Sequence, residues 1–69
     1  MNDNGQAAKD MVYLTPEMVS ETLHIGMTKT YKLFKLRGFP AVKISRQWLV
    51  EKEDLRRVMS EYKGSGFIL

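Results

Sequence analysis

The sequence predicts a small, mainly α-helical domain that carries one β-hairpin. Three observations predict it. Apolar residues recur at helical spacing in two stretches separated only by His24-Ile25-Gly26. The period drops to two after Gly38-Phe39-Pro40, and a helical period returns at Leu55, Val58, Met59 and Tyr62. The 69 residues leave room for one domain, and a chain of this length buries only about 60% of its unfolded surface. A composition of 43% apolar and 28% charged residues belongs to a folded chain rather than a disordered one.

Residues 1–11 are polar, lack an apolar period and begin Met-Asn-Asp-Asn-Gly, so a flexible N-terminal tail is expected. Val12 to Leu14 is a short extended entry into a domain spanning 12–63. Thr15-Pro16-Glu17 then starts a helix, with a hydroxyl N-cap, proline at the first helical position and an acidic first turn. This helix runs from Pro16 to Leu23, with Met18, Val19, Thr22 and Leu23 toward the core. After the three-residue break a second helix starts at Met27. At 100° per residue, Met27, Thr30, Tyr31 and Phe34, with Leu33 at the edge, form a core face, and Thr28, Lys29, Lys32, Lys35 and Leu36 lie opposite. Gly38 is the expected left-handed C-cap, and Pro40 stops the helix from resuming.

From Ala41 the strand period places Val42 and Ile44 inward and Lys43 outward. A turn through Ser45-Arg46-Gln47 leads into a second strand with Trp48 and Val50 inward. The last helix is expected from Lys52 to Lys63 with Gly64 as its stop. Residues 64–69 form a tail ending in the apolar Phe67-Ile68-Leu69.

The net charge of +3 is mild, but its distribution is uneven. Between Thr22 and Val50 stand Lys29, Lys32, Lys35, Arg37, Lys43 and Arg46, with no acidic residue among them. That block suits an anionic partner. Two helices joined by a tight turn, the second of them basic on its outer face, form the arrangement that inserts a recognition helix into the DNA major groove. The basic hairpin after it would act as a wing. On this reading Thr28, Lys29 and Lys32 reach base edges, and Lys35 and Lys43 meet phosphates. Arg46, with Gln47 beside it at the hairpin tip, reaches a phosphate or the minor groove.

Several stretches together resemble the excisionase-family helix-turn-helix, a small relative of the MerR-type winged helix. They are Tyr13-Leu14-Thr15, the helix from Thr28 to Phe34 with Tyr31, Gly38-Phe39-Pro40-Ala41, the pair Val42-Lys43-Ile44 and Trp48-Leu49-Val50, and Glu53-Asp54-Leu55. The resemblance covers Tyr13 to Tyr62. It implies a winged helix-turn-helix that binds and bends double-stranded DNA, often in tandem copies, as a recombination directionality factor serving an integrase of a mobile element. Transcription regulation is the alternative within the family. The chain departs from the family pattern at three turns: His24 and Ser45 stand where glycine is usual, and Gly26 where a serine or threonine cap is usual.

Other chemistry finds little support in the residues. There is no cysteine and one histidine, which excludes a disulfide framework and a four-ligand zinc site. The serines lack a His and Asp arrangement, so no enzymatic activity, cofactor or small-molecule substrate is expected. No apolar run approaches the roughly 20 residues that span a bilayer, and no signal pattern opens the chain; a soluble, cytoplasmic protein is expected. Leu36, Leu49, Phe67, Ile68 and Leu69 are left over as apolar residues outside the core faces. They are candidates for contact with a neighbouring copy or a recombinase, the tail's alternative being to fold back on the last helix. A protein-interaction adaptor using this apolar edge is the rival from another functional class.

Overall fold

In the computed structural model, residues 11–66 and 69 are described, and they form three helices and three strands. The helices are α1 (Pro16–Leu23), α2 (Met27–Phe34) and α3 (Lys52–Glu61), and the strands are β1 (Tyr13–Leu14), β2 (Ala41–Ile44) and β3 (Gln47–Glu51). The sheet is antiparallel in the order β1-β3-β2. The chain's extended entry is therefore a strand: Tyr13 lies opposite Glu51 and Leu14 opposite Val50, and the Lys52 N–H donates to the Val12 carbonyl at 2.7 Å.

Local chemistry sets the ends of α1. The Thr15 hydroxyl accepts from the Met18 N–H at 3.3 Å, Pro16 opens the helix, and Glu17 sits in the first turn. His24 closes α1 in the left-handed region (φ 59°, ψ 42°), and the His24 and Ile25 N–H groups both turn back to the Ser20 carbonyl. Ser20 also donates its hydroxyl to the Ile25 carbonyl, so one residue fastens both sides of the interhelical turn. Gly26 caps α2 without a side chain, as its lack of one requires. The Thr30 hydroxyl donates to the Gly26 carbonyl at 2.9 Å, which satisfies the one fully buried polar side chain among the described residues.

Val19, Leu33, Phe34, Val50 and Leu55 make the core, with Leu14, Leu23, Phe39, Ala41, Trp48, Met59 and Leu69 packed around it. Helices α1, α2 and α3 thus close over one face of the sheet. Phe34 is the hinge of this packing, with its ring 5.4 Å from Phe39 and 6.4 Å, edge-on, from Trp48.

Several expectations need correction. First, the hairpin turn holds two residues, not three. Ile44 pairs with Gln47, Lys43 with Trp48 and Val42 with Leu49. A one-residue slip reverses every side chain, so Lys43 shares the core-side face with Trp48, while Val42 and Ile44 lie outside, 43% and 61% exposed. Second, Leu33 is buried at 1% exposure, and Tyr31 is exposed at 38%. Third, α2 ends at Phe34 with Lys35 as its right-handed cap, so Gly38 is not the cap. Its φ of +87° serves a separate turn, closed by the Phe39 N–H donating to the Leu36 carbonyl at 3.1 Å. Fourth, α3 stops at Glu61, and Tyr62, expected in the core, is 43% exposed. On α1, Met18 and Thr22 are likewise exposed, which leaves Val19 as the buried residue and Leu23 as a half-buried one.

Ser45, the first residue of the hairpin turn, is left-handed at φ 58°. That conformation costs a residue with a Cβ about 1–2 kcal/mol, part of which glycine gives back through its freer unfolded chain. Ser45→Gly is expected to stabilise the fold by about 0.5–1 kcal/mol, read as a higher urea midpoint. A lower midpoint would mean that the serine side chain contributes more than its backbone costs.

Candidate nucleic-acid interface

Helix α2 buries Thr30, Leu33 and Phe34 and exposes Thr28, Lys29 and Lys32, with Lys35 exposed at its cap. Thr28, Lys32 and Lys35 fall within an arc of about 60° on the side facing away from the core, with Lys29 on its flank. Eight residues at 1.5 Å rise make a rod of about 12 Å, which suits a groove about 12 Å wide.

The hairpin supplies the second part. Lys43, Arg46 and Gln47 are exposed, with Arg46 in the turn and Gln47 at the start of β3. Lys43 projects from the helix-facing side of the sheet, its Nζ 5.3 Å from the centre of the Trp48 ring. An open cleft runs between the start of α1, Tyr31 of α2, and the hairpin from Ile44 to Trp48. Tyr31 of α2 therefore faces the hairpin across this cleft, with a phenol that is able to donate to an anionic oxygen. The sequence reading missed it by including Tyr31 in the core stripe with Met27, Thr30 and Phe34. A stripe drawn through Thr30, Leu33 and Phe34, at i, i+3 and i+4, turns Tyr31 out.

Electrostatics separate this surface from the rest of the molecule. Among the described residues every ion pair lies within α3: Arg56 with Glu53 at 3.3 Å, and Arg57 with Asp54 at 3.0 Å and Glu61 at 3.9 Å. Lys29, Lys32, Lys35, Lys43 and Arg46 are exposed and, like Arg37, Lys52 and Lys63, have no carboxylate partner among the described residues.

The matching family model is that of the helix-turn-helix domain, and it covers residues 13–63. The chain belongs to this helix-turn-helix family. The family is found in excisionase-like DNA-binding proteins, and three helices with a small antiparallel hairpin are consistent with its winged form. Its interhelical turn is the His24-Ile25-Gly26 segment, its second helix is α2, and its wing is the β2–β3 hairpin. No curated protein and no solved structure matches the chain.

The apolar candidates are dispersed. Leu36 is exposed on a hollow it shares with Leu33, Phe39, Val58 and Tyr62. Leu49 is half-buried on the outer sheet face opposite Val42, and Leu69 packs against the chain's own core. Phe67 and Ile68 lie outside the described residues. Among the described residues no three His, Cys, Asp or Glu side chains gather where they could hold a metal, and no helix is long and apolar enough to cross a membrane.

Proposed function

We propose that the chain binds double-stranded DNA, with α2 in the major groove and the hairpin against the flanking backbone. The carrying observation is the set of cations on the outward face of α2 and on the wing that have no carboxylate partner among the described residues, in a stretch from Thr22 to Val50 that contains no acidic residue. Thr28, Lys29 and Lys32 reach base edges; Lys35 and Lys43 hold phosphates; Arg46 and Gln47 extend the contact at the tip, and Tyr31 closes the seam.

The finer reading is an excisionase-type recombination directionality factor of a mobile element. Copies side by side bend the site and assist an integrase. Membership of a family found in excisionase-like proteins supports this, and so does size. A single small module buries about 600–1,000 Å² on DNA, so one copy alone binds weakly and neighbours must help.

Salt dependence tests the groove-binding step. Neutralising roughly four phosphates per copy gives a slope of log K against log salt of about −3.6. Fluorescence anisotropy on a labelled duplex across a salt series measures it, and a flat response would remove the DNA reading. A duplex with the binding site moved from end to centre then tests bending, since a bent complex migrates most slowly with the site central.

A further inference from the structure

We infer that Trp48 is a positioning residue for DNA binding, its indole ring holding the Lys43 ammonium on the helix-facing side of the wing where a backbone phosphate can take it. The inference rests on the DNA-binding reading above and assigns Trp48 a task beyond packing.

The geometry has three parts. Lys43 and Trp48 are directly opposed across β2 and β3, on the same face of the sheet. The Lys43 Nζ lies 5.3 Å from the ring centre, within the range at which the negative face of an indole attracts a cation. The ring is itself fixed by its edge contact with the buried Phe34 of α2.

Each part bears on binding. A lysine on a flexible four-carbon stem loses rotamer freedom when it settles on a phosphate, and a cation already held loses less. The ring covers one side of the ammonium, and the exposed side keeps N–H donors for an anion. No carboxylate among the described residues competes for it. Because Phe34 belongs to the recognition helix, the chain of contacts Phe34–Trp48–Lys43 also fixes the wing cation relative to the helix that enters the groove.

A double-mutant cycle on a mixed-sequence DNA duplex tests this, using the full chain. In the wild-type background, Lys43→Met is expected to weaken binding about fivefold and to lower the magnitude of the salt slope by about 0.9. In a Trp48→Leu background the same substitution is expected to cost twofold or less, the difference matching the roughly two- to fivefold value of an exposed cation–π contact. Trp48→Phe, which keeps an aromatic face, should restore most of the Lys43 effect. An equal Lys43 effect in the wild-type and Trp48→Leu backgrounds overturns the inference.

A second measurement needs no DNA and covers the case in which Trp48→Leu fails to fold. Trp48 is the single tryptophan, so its emission reports the contact directly, and Lys43→Met should change it. Identical emission from the two proteins overturns the positioning role while leaving the DNA reading intact. A wild-type protein that ignores the duplex at low salt overturns that reading, and the positioning role with it.

Discussion

Replacing Lys29 and Lys32 together by glutamate is expected to reduce DNA affinity by at least about 100-fold at physiological salt, because each loses a contact worth about 1–3 kcal/mol and adds repulsion. The fold is expected to survive, and helix physics says why. Lys29 is in the first turn of α2, beside the positive end of the helix dipole, where a cation is disfavoured by about 0.3–1 kcal/mol. The other two helices follow the usual rule, with Glu17 opening α1 and Glu53 and Asp54 opening α3, whereas α2 has no acidic residue in its first turn. Lys29→Glu should therefore stabilise α2 slightly. Lys32→Glu, in the last turn, should cost a similar amount, leaving the melting temperature nearly unchanged. Anisotropy on a duplex and a thermal melt by circular dichroism read the two quantities separately. DNA affinity that survives the double reversal would take the DNA contact away from the outward face of α2, whereas partner-protein binding that survives it while DNA affinity is absent even in the wild type would favour the adaptor reading.

The helices were legible in the sequence as helices, and α1 in both its limits, because nearest neighbours set them, whereas the ends of α2 and α3 were not. Thr15-Pro16-Glu17 opens α1 through a hydroxyl cap and a fixed proline φ, and a left-handed histidine ends it. The hairpin was legible as a hairpin but not in its parity. In β2 the pair Val42 and Ile44 is the more apolar set, and periodicity alone sends it inward. The turn decides otherwise. Two-residue hairpin loops accept a left-handed first residue, and Ser45 adopts one, so Ile44 is set against Gln47. A reading that weighed turn length before hydrophobicity would have placed Lys43 beside Trp48. The basic site needed less: Lys29, Lys32 and Lys35 follow from helical spacing alone. The cleft at Tyr31 and the Lys43–Trp48 contact depend on how α2 meets the sheet, a relation no local pattern encodes.

That relation is concentrated in Phe34, and Phe34→Ala is the substitution expected to cost most stability. Phe34 is 2% exposed and touches two other aromatic rings, Phe39 in the exit from α2 and Trp48 in the wing. Truncating a buried phenylalanine costs about 3–5 kcal/mol, through lost transfer energy and the cavity left behind. A domain of this size has roughly 3–10 kcal/mol in total, so the variant should be largely unfolded or close to it. At about 4–8 °C per kcal/mol the melting temperature should fall by at least ~12 °C. Phe34→Leu keeps most of the volume and should lose markedly less, which separates the cavity from the aromatic contacts. If Phe34→Ala instead melts within a few degrees of wild type, helix α2 and the wing are held together by something other than this aromatic cluster, and the rigid spacing between them on which the two-part DNA contact relies loses its physical basis.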